Sequence, residues 1–157
     1  MNDQPFELDK DKSSFIDKLG MYYEDYGIPR IGGRILGLML VSEQPLSAEQ
    51  MAKHLKISRG SVSTNVRLLT SSGLLERTTV AGERTDYYVV SESIWERAIQ
   101  IRIEGFTNLK RIVEQGIQAV ESKPSANNHL YKMRQWVDVM INSHEQTLMN
   151  WKKETND

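Results

Sequence analysis

The chain has 157 residues, a formal net charge of −1 and no cysteine. The lack of cysteine excludes disulfide frameworks, thiolate metal sites and cysteine nucleophiles, and it is typical of a reducing, intracellular setting. Residues 1–12 are polar and acidic, unlike a signal or transit peptide, and the longest apolar run, residues 35–41, is too short to span a bilayer. These features predict a cytoplasmic protein that does not enter a membrane.

Two helices are predicted in the first part of the chain. Ser13 or Ser14 is the expected cap of the first, whose apolar residues recur three and four positions apart. Pro29 is suited to the start of a second helix. In that helix Gly33 and Gly37 lie on one face, which predicts a close approach by a neighbouring helix.

The middle of the chain has the order helix, tight turn, helix and β-hairpin. Ser47 and Gln50 have the form of a capping box, and Ser58 is positioned to cap a second short helix. Two β-rich runs follow, at about residues 74–80 and 85–90, with a turn between them. This order predicts a winged helix-turn-helix, in which the second helix enters the major groove of DNA.

The second of these helices has an outer face suited to DNA. With Val62, Val66 and Leu69 turned inward, the outer residues are small, polar or cationic, and residues 59–69 include no carboxylate. Small side chains let a helix lie deep in the groove, and arginine can pair with guanine through two hydrogen bonds. The alternative is an ordinary solvated face, but such faces usually carry Glu and Lys. The predicted DNA-contacting residues of this helix are Arg59, Gly60, Ser61, Ser63, Thr64 and Arg67.

The charge distribution and the hairpin add to this prediction. Residues 47–90 contain six Lys and Arg against four Asp and Glu, and they form the only net positive segment of the chain. Arg84 lies at the predicted hairpin tip, where an arginine can reach a minor groove or a flanking phosphate. The alternative for Arg84 is a surface ion pair with Glu83 or Asp86.

The C-terminal part is predicted to hold two long helices, residues 91–122 and a last helix after a loop at residues 123–128. The last helix carries a heptad seam. The seam residues are Leu130, Met133, Val137, Met140, His144, Thr147 and Trp151. Together with the first helix, these apolar surfaces exceed what one small domain buries, which predicts a homodimer.

Three segments resemble a known family: residues 29–37 (PRIGGRILG), residues 58–63 (SRGSVS), and Gly82-Glu83-Arg84 followed by Tyr87-Tyr88. They look like the GbsR-like branch of the multiple-antibiotic-resistance repressor (MarR) superfamily, over residues 13–90. The resemblance implies a homodimer that binds palindromic operators, with N- and C-terminal helices at its interface. It implies that Arg59, Ser61, Ser63, Thr64 and Arg67 read the major groove and that Arg84 makes the wing contact. The wing departs from the wider superfamily in lacking its frequent Asp-x-Arg form.

An effector site is a further hypothesis. Aromatic side chains can hold a quaternary ammonium group by cation–π attraction, and the resemblance implies a link to choline and compatible solutes. The alternative is that aromatic residues at helical spacing are ordinary core. The candidate residues are Tyr22, Tyr23, Tyr26, Trp95 and Phe106.

An enzyme is not expected. His54, His129 and His144 lie in separate elements without metal-ligand or triad spacing, and no glycine-rich phosphate loop occurs. No metal or cofactor is therefore predicted. His144 lies in the apolar seam, where a pH- or ligand-sensing role is possible, but a hydrogen-bonded interface histidine is the favoured interpretation.

The sequence thus predicts a mainly α protein with a small β-hairpin wing (α+β), acting as a dimeric DNA-binding transcription regulator, with a repressor favoured over an activator. The alternative is a winged helix used for protein–protein contact without specific DNA binding, since a fold alone does not decide function. The predicted divisions are a disordered lead (1–12), N-terminal helices (13–44), the winged helix-turn-helix (45–90) and C-terminal dimerisation helices (91–157).

Overall fold

The computed structural model describes residues 7–42, 44–120 and 124–155. This part of the chain is mostly helical and has one small antiparallel sheet, which confirms the predicted fold class. Its elements in chain order are α1 (Lys10–Asp25), α2 (Arg30–Val41), β1 (Leu46–Ser47), α3 (Ala48–Leu55), α4 (Arg59–Ser71), β2 (Leu75–Thr78), β3 (Tyr87–Val90), α5 (Ile94–Ala119) and α6 (Pro124–Thr155).

These elements form two compact units, one ending at Ile94 and the other beginning at Trp95. The first contains α1 to α4 and the sheet, and the second contains nearly all of α5 together with α6. None of the described helices is both long enough and apolar enough to cross a membrane.

Helix α1 begins earlier than predicted. Asp9, rather than Ser13 or Ser14, is its N-cap, and the Asp9 carboxylate accepts a hydrogen bond from the Lys12 amide at 2.8 Å. That bond lowers the pKa of Asp9, because it favours the charged form. Aspartate caps helices as well as serine does, so α1 can begin directly after Asp9. The end of the predicted lead is therefore helical, whereas residues 1–6 lie outside the described residues.

The predicted close approach of α1 and α2 is confirmed. A Cβ atom on Gly33 would lie 3.0 Å from the Gly20 Cα atom, and one on Gly37 would lie 3.2 Å from the Ile16 Cα atom. Because these distances leave almost no room for a side chain, the glycines let the two backbones pack directly.

The sheet has the order β1-β3-β2, and both pairings are antiparallel. The predicted hairpin is β2 and β3, with Leu75 paired to Val90, and both strands are shorter than expected. Strand β1 was not predicted. It pairs Leu46 with Tyr88 and holds the start of α3 against the wing.

The second unit is an antiparallel pair of helices. Lys110 of α5 contacts Asp138 of α6 at 2.7 Å. Glu96, near the start of α5, contacts Lys152, near the end of α6, at 3.4 Å. The Phe106 ring lies 5.4 Å from the His144 ring. The hydrogen bond to Asp138 raises the pKa of Lys110, because the carboxylate favours the charged amine.

Two predictions for this unit need correction. The loop predicted at residues 123–128 is helical from Pro124 onward, because proline is well suited to a first helical turn; Lys123 lies outside the described residues. Val137 was placed in a seam between two chains, but it is completely buried within one chain. It lies one heptad before His144, on the α6 face that contacts α5.

Candidate nucleic-acid interface

The helix-turn-helix is fixed by two serine caps. The Ser47 hydroxyl accepts from the Gln50 amide at 3.3 Å and the Gln50 side chain accepts from the Ser47 amide at 2.8 Å, which confirms the capping box. Helix α3 ends at Lys56, whose φ of 53° turns the chain sharply. Ser58 then caps α4, as predicted, by accepting from the Ser61 amide at 3.2 Å.

The inner face of α4 holds the predicted residues and one more. Val62, Val66 and Leu69 are buried, and Asn65 is buried beside them. The side-chain amide of Asn65 donates a hydrogen bond to the Ser61 carbonyl at 2.9 Å. Because a Cβ on Gly32 would lie 3.0 Å from the Asn65 side-chain oxygen, α4 packs tightly on α2 at this point. Position 65, three after Val62 and four before Leu69, could have revealed this placement.

The outer face of α4 is open. Gly60, Ser63, Thr64 and Arg67 are exposed, as the helical spacing predicts. Arg67 makes no ion pair with any residue in the described part of the chain.

The two residues at the start of α4 are less free than the sequence suggested. The exposed guanidinium of Arg59 is bonded to Glu49 of α3. Ser61 is half-buried, and its hydroxyl lies 2.9 Å from that of Ser58. A ligand at this end of the helix would therefore compete with contacts that the protein already makes.

The hairpin presents Arg84 to solvent. Gly82 has a φ of 85°, which glycine adopts without strain, and the Glu83 amide donates to the Val80 carbonyl at 3.1 Å. Asp86, a suggested partner of Arg84, instead contacts Arg77 of β2 at 3.3 Å. Arg84 itself pairs with neither Glu83 nor Asp86 in the structure as described.

An open cleft of about 460 Å³ separates α4 from the wing. Its lining residues are Ala48, Ser63, Val66, Arg67, Thr70, Ser71, Arg77 and Tyr88. Arg77 was given no role from the sequence, because the strand that carries it looked like a plain structural element.

The histidine nearest this surface adds no charge to it at neutral pH. Burial, followed by the repulsion of the neighbouring Lys53, lowers the pKa of His54 from its usual value of 6.5. The positive potential here must come from lysine and arginine. In residues 7–42, 44–120 and 124–155, no group of three or more His, Asp or Glu residues could hold a metal ion.

The candidate effector residues fall in different units. In the first unit, the Tyr22 ring lies 5.4 Å from Tyr23 and 4.8 Å from Tyr26, and both Tyr22 and Tyr26 are exposed rather than core. In the second unit, Trp95 is exposed and Phe106 contacts Trp136 and His144.

His144 has the hydrogen bond expected of the favoured interpretation. Its Nδ1 atom lies 2.6 Å from the Met140 carbonyl oxygen, one helical turn earlier.

A capped helix-turn-helix, followed by a two-stranded wing and with an exposed, carboxylate-free face on its second helix, is the arrangement typical of winged-helix DNA-binding proteins. The model of the MarR family matches residues 26–84. The HTH-type transcriptional regulator MmpR5 of Mycobacterium tuberculosis (strain ATCC 25618 / H37Rv) is 30% identical over 147 residues, which cover 92% of this chain and 89% of the relative. The chain belongs to the MarR family: it is a DNA-binding transcription regulator and not an enzyme.

Two further similarities bear on this assignment. A crystal structure of a transcriptional regulator superposes with a TM-score of 0.81 at 30% identity, covering 91% of this chain and 99% of that one. The HTH-type transcriptional repressor OpcR of Bacillus subtilis (strain 168) is 22% identical over 94 residues, which are 60% of this chain and 51% of the relative. Membership of the family favours DNA binding over the alternative of a winged helix used only for protein contact.

Proposed function

We propose that the chain is a homodimeric cytoplasmic repressor that binds a palindromic operator through α4. The observation that carries the proposal is the outer face of α4, which is exposed, has no carboxylate of its own and presents Arg67 without an ion-pair partner among the described residues. Arg84 at the wing tip makes the flanking contact. The proposed DNA-contacting residues are Arg59, Gly60, Ser61, Ser63, Thr64, Arg67 and Arg84.

Exposed apolar side chains support a homodimer. A single chain leaves large apolar groups in water on α1 and on the α5–α6 pair, where residues of this kind normally find a partner. A second copy of the chain is the simplest partner, because a twofold axis would cover each face with its own equivalent. The exposed apolar residues proposed for this interface are Phe15, Met21, Ile112, Trp136, Val139 and Met149.

The repressor role and the GbsR-like branch rest on similarity in sequence. The relative OpcR is named a repressor, and it shares 22% identity with this chain over 94 residues. A repressor released by a small molecule also needs an effector site. The exposed Tyr22 and Tyr26 rings, 4.8 Å apart, are suited to a choline-like cation, and we retain Trp95 and Phe106 as further candidates.

The operator provides the main test. Footprinting of the DNA that flanks the gene should reveal an inverted repeat with half-sites about 10–10.5 base pairs apart, because two symmetry-related α4 helices must enter successive major grooves. Sedimentation at micromolar concentration should give a dimer. A single species of the mass of one chain, 18.1 kDa, or a footprint without twofold symmetry would contradict the proposal.

Choline titration tests the effector. Saturating choline should release the operator complex, and Tyr22→Ala should abolish the response, whereas Tyr22→Phe keeps the aromatic face and should retain it. Tyr131→Ala removes an exposed tyrosine from the other unit and is the control. If parent protein stays on the operator at saturating choline, the choline-like effector is excluded.

A further inference from the structure

The cleft between α4 and the wing has arginine on both sides. Arg67 borders it from the recognition helix and Arg77 from β2. Arg77 is paired across the strands with Tyr88, another lining residue, so the two side chains lie on the same face of the sheet. The cleft is therefore an open, positively charged groove beside the outer face of α4, which carries most of the proposed DNA-contacting residues.

The lining also has an unused polar group. The Thr70 hydroxyl oxygen is buried and has no hydrogen-bond partner in the part of the chain that the structure describes. Buried hydroxyls are nearly always satisfied, by protein, water or a ligand. This oxygen is too buried to meet a ligand in the open cleft, so the class of ligand is inferred from the two guanidinium groups, which favour an oxygen-rich anion.

Among the described residues, Asp86 is the only ion-pair partner of Arg77, at 3.3 Å. The Arg77 and Asp86 side chains are 66% and 54% exposed, and pairs so exposed contribute little to stability. Arg77 can therefore exchange the carboxylate for another anion. At the same time, Asp86 places a negative charge where a phosphate would approach, and this charge opposes phosphate binding.

We propose that this cleft binds a phosphate of the DNA backbone through Arg77, and that Asp86 is a built-in competitor which weakens the binding of every duplex. The inference rests on the proposed function, because it requires α4 to lie in the major groove. Arg67 borders the same cleft and keeps its proposed role at base edges. A phosphate contact carries no sequence information, so Arg77 and Asp86 set overall affinity rather than specificity.

Salt titrations of three variants test the proposal, with operator and random duplex read by fluorescence anisotropy. Loss of one phosphate contact reduces the slope of log affinity against log salt concentration by about 0.9. When salt is raised from about 50 to 200 mM, the factor by which Arg77→Ala loses affinity should therefore be roughly threefold smaller than the factor for the parent. Asp86→Asn should bind both duplexes more tightly than the parent. The double variant should gain less from Asp86→Asn than the parent does, because only the parent has an arginine that the change releases from its ion pair.

Arg97 and Glu104 of α5 provide the matched controls. They form an ion pair at 2.7 Å, and neither residue lines the cleft. Arg97→Ala changes the net charge as Arg77→Ala does, and Glu104→Gln changes it as Asp86→Asn does. Both should bind DNA like the parent. If Arg77→Ala keeps the parent's salt slope, or if Asp86→Asn binds DNA no more tightly than the parent, the inference is wrong. If the parent shows no specific affinity for any operator, the proposed function fails instead.

Discussion

Val137→Glu is expected to unfold the α5–α6 unit. Val137 is 0% exposed in a single chain, so glutamate would place a carboxylate in a buried apolar site that offers it no water. Burying an unpaired charge is unfavourable by several kcal/mol, even after its pKa adjusts. Loss of helical circular dichroism and a lower urea midpoint should follow, together with loss of operator binding.

Val139→Glu is the control, because it makes the same change two residues further along α6. Val139 is 63% exposed, so the glutamate side chain can remain in water and the fold should persist. In the proposed dimer it would charge an apolar contact, and we expect sedimentation to show dissociation to monomers. A Val137→Glu protein as stable as the parent would show that the buried face of α6 is wrongly placed.

The local signals in the sequence predicted the helix-turn-helix well. Capping by Ser47 and Ser58 depends on residues three positions apart, and the inner face of α4 follows from helical spacing. Because these effects act between residues that are close in sequence, they can be recognised without knowledge of the tertiary structure. Strand β1 was missed because its two residues are too few for alternation, and because its partner Tyr88 lies far along the chain.

Several features that the sequence did not show depend on contacts between residues of different segments. The Arg59–Glu49 and Arg77–Asp86 ion pairs join different elements, so composition could not show which cations are already neutralised. Val137 illustrates the same limit for apolar groups. A heptad seam indicates that a helix packs against something, but it does not say whether the partner is the same chain or another.

Arg67→Ala is expected to cause the largest loss of specific DNA binding among the surface variants. Arg67 is exposed on α4 and has no ion-pair partner among the described residues, so its guanidinium is available to pair with a guanine in the major groove. Operator affinity should fall by about 1–3 kcal/mol, and base preference should relax at one position in each half-site. Binding to operators with each base at that position measures both effects.

Comparison with Arg84→Ala separates base reading from backbone contact. Arg84 lies at the wing tip near Gly82, and in the proposed binding mode it contacts a phosphate or the minor groove, so its loss should weaken operator and random duplex alike. The salt slope should then fall by about one for each phosphate released. Arg67→Lys should bind the operator less tightly than the parent but more tightly than Arg67→Ala, because lysine keeps the charge but lacks the rigid planar fork of the guanidinium group. If lysine fully restores operator binding, Arg67 acts through charge alone. The base-reading role would then pass to the exposed Ser63 and Thr64 on the same face.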